Sequence, residues 1–348
     1  MPFVRGADTL TTMGAAQSSS DEFVREPLGV QERITADGSS SWPVKAGRYR
    51  LVAARACPWA NRIVITRRLL GLEPVLSMGI AGPLHDERSW RFHNDPGNVD
   101  PVLGIEYLRS AYEKAVPGYD KGVTVPAIVE VESGKVVTNA YQELEFDLST
   151  QWTALHRPGA PDLWPVEHRD EIAAVSEEVF HDVNNGVYKC GFAKGQRSYE
   201  KAYDALFARL DALSTRLSTQ RYLVGDTITQ ADIRLWVTLV RFDAAYHGHF
   251  KCNRQKLTEM PVLWAYARDL SQYAVGCTAW GTRRGSSERP STAGSATTPR
   301  VWRPGYSARN RTAGNAPRGR VGRSLRSTPT TTSLRRPTAA SRAPPTER

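Results

Sequence analysis

The spacing of apolar positions changes once along this chain, and the change divides it in two. Residues 48–55 (Arg-Tyr-Arg-Leu-Val-Ala-Ala-Arg) alternate as a strand does when it enters a core. Pro58 then stands where a first helical residue belongs, because its fixed φ suits that place and no N–H is needed there. Ile63, Val64, Leu69 and Leu70 give the predicted helix a buried face, and Gly71 ends it. Residues 123–131 and 135–138 read as two strands, with Pro126 inside the first and Ser133-Gly134 as the turn of a hairpin. After a Pro/Gly-rich connector at 156–165 the period becomes helical. Residues 170–183 place Ile172, Val175, Val179 and Val183 on one face, and residues 199–217 repeat this with Tyr203, Leu206, Phe207, Leu210, Leu213 and Leu217. Thr229-Gln-Ala-Asp232 is a capping box, in which a hydroxyl and a carboxylate three residues apart take up orphan amides. It opens a predicted helix at 233–242, and 260–270 predicts one more. The expected fold is an α/β thioredoxin-like domain (46–155) followed by an all-helical domain (165–277). An N-terminal extension (1–45) precedes them, expected to drape over the body or stay mobile.

Charge changes the picture only at one end. The chain carries 46 Lys+Arg against 36 Asp+Glu, a net +10 that by itself suggests a polyanion binder. The excess sits in residues 278–348, which hold fifteen Arg, no Lys and two acids among Ser, Thr, Pro and Gly. Such a composition is of a kind that stays disordered, and it would contact nucleic acid or lipid phosphate only non-specifically. The rest of the chain is slightly acidic and has no basic footprint. Four cysteines in 348 residues make no disulfide framework. No apolar run reaches membrane-span length and the polar N-terminus has no signal core, so the cytoplasm is the expected location and no membrane partner is expected.

The chemistry concentrates at Cys57. A cysteine just before a helix, with Pro next, faces unpaired N–H groups and the positive end of the helix dipole, and both favour thiolate. Arg62, one turn in, is expected to support that thiolate. The alternative is a buried structural cysteine, since free Cys packs well. No second cysteine follows three residues on, so such a thiolate must be resolved by an external low-molecular-weight thiol. Val125 before Pro126 fits this where the proline is cis, since the residue ahead of it can then offer its N–H and C=O to a bound tripeptide; the sequence leaves the isomer open, and a trans turn proline is the alternative. The His247-Gly-His249-Phe-Lys-Cys252 run has metal-binding residue types but no second cluster to complete a site, so no metal is expected.

Several ordered motifs carry a resemblance. They are Cys57-Pro-Trp-Ala-Asn-Arg62, Thr124-Val-Pro126, Asn184-Asn-Gly-Val-Tyr-Lys189, Tyr222-Leu-Val-Gly-Asp226 and the run from Arg241 to Asn253. Over residues 23–276 the chain resembles the glutathionyl-hydroquinone reductases, the xi class of glutathione transferases. The resemblance implies a thioredoxin-like domain, an all-α domain, a homodimer, quinone conjugates as substrates and glutathione as co-substrate. It implies Cys57 as nucleophile, Tyr188 as proton donor to the leaving ring carbon and Tyr246 as a group that lowers the thiol pKa. It further implies Trp90, Thr124, Val125 and Pro126 as contacts of the thiol cofactor. Two departures stand out. Where the family has Asn-Glu-Ser to hold the γ-glutamyl group, this chain has Asn139-Ala-Tyr-Gln142, so glutathione is expected to bind weakly or to yield to another thiol such as mycothiol. The family's ordered C-terminal segment is replaced by the Arg-rich tail, as if by a change of reading frame. Two other readings compete with the leading one: a thioltransferase or dehydroascorbate reductase using the same Cys57, and a non-catalytic binding protein on the same scaffold.

Overall fold

The computed structural model describes residues 21–83 and 85–275. The Arg-rich stretch 278–348, Cys277 and residues 1–20 lie outside them. A four-stranded sheet forms the α/β half. Strands β1 (Tyr49–Ala54), β2 (Ser77–Ala81), β3 (Ala127–Glu130) and β4 (Val136–Thr138) lie in the order β2-β1-β3-β4. The β1–β2 pair is parallel, with Leu51 opposite Met78, and the other two pairs are antiparallel. All residues of β1 are buried, although its sequence alternates. Arg50 is buried among them because Asp100 accepts from its Nε and Nη2 at 3.0 and 2.8 Å. The hairpin has the predicted turn, with Gly134 at φ +65° and Glu130 accepting the Ser133 N–H at 2.7 Å. Its first strand starts four residues later than the pattern predicts, because Thr124, Val125 and cis Pro126 form the approach to it.

Helix α1 (Pro58–Leu69) starts at Pro58 as predicted, and Gly71 follows its end at φ +71°. The sequence predicts one buried face; eleven of its twelve residues are buried. The reason is its position: α1 packs on β1, on α3 (Tyr141–Thr150) and on α7 (Gln230–Leu239), so both halves of the molecule cover it. Helix α2 (Arg109–Ala115) covers the β4 side of the sheet.

The helical half comprises α4 (Arg169–Glu178), α5 (Gly186–Gly191), α6 (Gln196–Leu217), α7 and α8 (Pro261–Val275). The capping box opens α7: Asp232 Oδ2 accepts from the Thr229 N–H at 2.9 Å and from its hydroxyl at 3.1 Å. Two predicted helices do not run on as α-helix. The first passes into a π-helical turn at Val179–Asn184, and the region after α7 forms another at Phe242–Tyr246. Among the described residues no helix is long and apolar enough to cross a membrane.

Residues 21–33 form a strap that runs from the helical half to the sheet. At one end the Lys194 N–H donates to Asp21 C=O at 3.0 Å and Lys201 pairs with Glu22 at 2.9 Å. At the other, Val30 and Asn139 exchange hydrogen bonds, Gln31 bridges Thr138 in antiparallel fashion, and Arg33 grips Asp147.

Candidate active site

The Cys57 backbone ends the loop after β1 in extended conformation and caps α1. That geometry turns its sulfur back over the first turn, where Ala60 N–H points at Sγ across 3.4 Å. Ala60 stands where a dithiol motif would carry its second cysteine. The Cys57 thiol donates to the Val125 carbonyl at 3.3 Å, so the residue before cis Pro126 faces the sulfur.

A cavity of about 280 Å³ opens beside this sulfur. Cys57, Trp59, Trp90, Thr124, Val125, Tyr188 and Tyr246 all line it, which brings most of the sequence-nominated residues to one place. Pro126 is buried behind Val125 and does not line it. Trp90 is held edge-on by His85 at 5.1 Å. Tyr188 on α5 and Tyr246 at the end of its π turn lie 6.3 Å apart between ring centroids, and their hydroxyls interact. Asn139 and Tyr141 add polar lining, and Tyr141 packs at a tilt against Trp59, 4.9 Å between ring centroids. Ala140 is buried at the start of α3 and supplies no side-chain cap.

The electrostatics bear on three expectations. The helix start was expected to favour thiolate, but burial pushes the Cys57 thiol up, against the Ala60 and Trp59 amides and the positive charges of Arg241 and Arg25. The cost of burying a charge exceeds the help of two N–H groups at a helix end. Arg62 was expected to support the thiolate, and its side chain is instead fully buried beside Glu145 at 3.4 Å. Burial lowers its own pKa to about 10, against the pull of Glu145. Arg241 and Arg25 are the cations that bear most on the sulfur, and Cys57 is in turn among the charges that raise Arg62. Burial also raises Tyr188 to about 12 and Tyr246 well above the usual phenol range, so both keep their protons at neutral pH. Tyr246 was expected to lower the thiol pKa, but what acts on the sulfur in that direction is amides and guanidiniums.

Sequence reasoning missed a whole wall. Phe23, Arg25, Glu26 and Leu28 of the strap line the cavity, as do Arg241, His249 and Phe250. Arg241 lay inside a quoted motif without a role; it donates to Asn61 Oδ1 at 3.1 Å, which aims it toward the start of α1. The strap has no periodicity to mark it, and a Phe-Val-Arg triplet in a polar stretch was its one signal. His249 lines the cavity and Cys252 is buried, its thiol donating to Phe250 C=O at 3.8 Å. Among the described residues no group of three His, Cys, Asp or Glu could hold a metal ion.

Comparison with known proteins places this geometry. Residues 196–269 match the glutathione S-transferase C-terminal domain. The glutathionyl-hydroquinone reductase PcpF of Sphingobium chlorophenolicum is 39% identical over 249 residues, covering 71% of this chain and 78% of the relative. A glutathione transferase from Gordonia bronchialis superposes with TM-score 0.69 at 65% identity, covering 70% of this chain and 76% of that one. The glutathione-bound YqjG of Escherichia coli superposes with TM-score 0.67 at 36% identity, covering 72% and 84%. A four-stranded thioredoxin-like half with a helical half, a lone cysteine capping α1 and relatives of this closeness lead to one conclusion. The chain belongs to the glutathionyl-hydroquinone reductases, the xi class of glutathione transferases.

Proposed function

We propose that this protein reductively removes the thiol group from glutathionyl-hydroquinones through a mixed disulfide on Cys57. The observation that carries the reading is the meeting of Cys57 Sγ with Tyr188 and Tyr246 in one cavity. In the first step the Cys57 thiolate attacks the thioether sulfur. A sulfur–sulfur bond forms, the sulfur–aryl bond breaks, and its electron pair moves to the ring carbon. Tyr188 donates the proton that the carbon takes, and the Tyr246 hydroxyl, hydrogen-bonded to it, stabilises the phenolate left behind until the proton released by the second thiol restores it. A second thiol then attacks the mixed disulfide, freeing Cys57 and leaving as oxidised thiol.

A neutral resting Cys57 suits this chemistry. A buried thiol gains nothing by ionising until substrate brings its own polar groups and displaces water, so the nucleophile is generated in the loaded site. Trp90, Thr124 and the Val125 backbone contact the bound thiol in this reading. Ala140 favours a refinement: it offers neither carboxylate nor hydroxyl to a γ-glutamyl group, so a different small thiol such as mycothiol serves as well as or better than glutathione. Steady-state turnover with each thiol tests this, and strong activity with glutathione alone would sink it. Homodimeric assembly and a cytoplasmic setting are carried as parts of the same proposal.

The main test is mass spectrometry of the protein after exposure to a glutathionyl-hydroquinone. An adduct of thiol mass on Cys57, absent in Cys57→Ser, is the expected result. Turnover by Cys57→Ser at the wild-type rate would refute the reading.

A further inference from the structure

The strap brings a cation to the site from outside both domains. Arg25 sits midway along it, with its guanidinium carbon 4.7 Å from the Trp59 ring centre, 5.0 Å from Tyr188 and 5.4 Å from Phe23. Its Nε and Nη2 both donate to Asn185 Oδ1, at 3.2 and 3.1 Å. Trp59 belongs to α1, two residues after Cys57, whereas Asn185 immediately precedes α5, the helix of Tyr188. One planar group therefore touches the nucleophile's helix and the proton donor's helix together. A guanidinium can do this because it stacks on its faces while its edge donates in a fixed fork. The strap holds it there from two ends, through Asp21 and Glu22 on the helical half and Val30, Gln31 and Arg33 on the sheet half.

We propose that Arg25 is a positioning residue for the reaction at Cys57. It fixes the separation of Trp59 and Tyr188 and supplies a permanent positive charge beside the attacking sulfur. The proposal rests on Cys57 being the nucleophile. The groups that face the sulfur or share its cavity are Arg241 just before the Phe242–Tyr246 turn, Tyr188, Tyr246 and His249 from the helical half, Tyr141 from α3, and Glu26 from the strap itself. Arg62 lies behind it on α1, committed to Glu145. Of these cations Arg25 alone comes from the strap, so the strap's effect on the thiol can be changed without altering either domain.

The test is the pH profile of iodoacetamide alkylation of the full-length chain, with the labelled residue located by peptide mapping. Arg25→Gln is expected to move the alkylation midpoint up by about half to one pH unit, because a nearby opposite charge favours the ionised sulfur. Arg25→Lys keeps the charge but loses the fork and much of the stacking. It is expected to hold the midpoint within a few tenths of a unit yet lower kcat for deglutathionylation about tenfold with KM little changed. Asn185→Ala, which leaves the charge and removes the anchor, is expected to behave as Arg25→Lys does. Circular dichroism checks that each variant is folded; if Arg25→Gln is not, the Arg25→Lys and Asn185→Ala kcat losses decide. Overlap of the Arg25→Gln profile with wild type, or wild-type kcat in Arg25→Lys and Asn185→Ala, overturns the inference while leaving Cys57 as nucleophile. Label found elsewhere than Cys57 in the wild type removes both this inference and the proposed function.

Discussion

Tyr188 and Tyr246 are chemically identical, and their surroundings divide the work between them. Both line the cavity; Tyr188 stacks on Phe192 and meets Phe250 edge-on and Tyr246 at a tilt, while Tyr246 is almost wholly covered. A phenol held near 12 by burial keeps its proton at neutral pH and gives it up only to a strong base. A ring carbon that has just received an electron pair is such a base; a departing thiolate is not. Tyr188→Phe is therefore expected to lower kcat for a glutathionyl-hydroquinone by about ten- to a hundredfold. The same variant should leave exchange with a small disulfide nearly unchanged, and stopped-flow assays of both reactions check the split. Equal losses in both would favour the thioltransferase reading. At this scale the convergence of Cys57, Tyr188 and Tyr246 on one cavity was legible, because each sits in an ordered motif; Trp90, which lines the same cavity, lies in none of them. The ion pair of Arg62 was not legible, for a physical reason. Helical position fixes only where a side chain starts, and the buried Glu145 on a neighbouring helix, invisible to local pattern, claims the guanidinium.

Element boundaries follow local chemistry where it is strong. The capping box at Thr229 starts α7 as the sequence predicts, and its carboxylate does more than cap. Asp232 Oδ1 accepts from the Leu223 N–H and from the Tyr266 hydroxyl, both at 2.8 Å, so one buried side chain joins α7, the 223 loop and α8. Burial raises its pKa and these donors oppose the rise. Asp232→Ala would leave two hydroxyls, of Thr229 and Tyr266, and two buried N–H groups without this acceptor. The expected loss is about 3–5 kcal/mol, measured as a fall in the urea midpoint, with Asp232→Asn losing less because its amide oxygen still accepts. The π-helical turns were not legible. They need one extra residue per turn, and nothing in apolar spacing distinguishes that residue from a helix drifting in phase. Yet they set the site: α5, which bears Tyr188, follows Val179–Asn184 closely, and Tyr246 ends Phe242–Tyr246. Asn184 shows how the first is held, its amide donating to Arg234 C=O at 2.8 Å and Thr238 Oγ1 at 2.7 Å on α7.

The two halves of the described body are joined through a buried charge cluster that the period-based reading could not foresee, since its members come from three helices. Glu145 on α3 faces Arg62 on α1 at 3.4 Å and Arg234 on α7 at 2.9 Å, and Gln230 donates to Glu145 C=O at 3.1 Å. One carboxylate thus serves two guanidiniums, and Arg62 also lies against Trp59 and Tyr141, at 5.5 and 5.2 Å from their ring centres, on the wall of the cavity. Removing the only negative charge should be costly, because it leaves two cations buried without compensation. Glu145→Gln is expected to lower stability by about 3–5 kcal/mol, read as a shift of the urea midpoint. Replacing all three members together by apolar side chains of matching volume, Glu145→Leu with Arg62→Met and Arg234→Met, should recover most of that loss, since burying ion pairs is seldom cheaper than burying hydrocarbon. Activity is expected not to recover with it. The triple variant loses the guanidinium against Trp59 and Tyr141, and with it the fixed wall that faces Cys57. Recovery of stability without recovery of kcat identifies the cluster as a brace for the site. Recovery of both would make it packing alone, and continued instability would mean that the charges themselves hold the halves together.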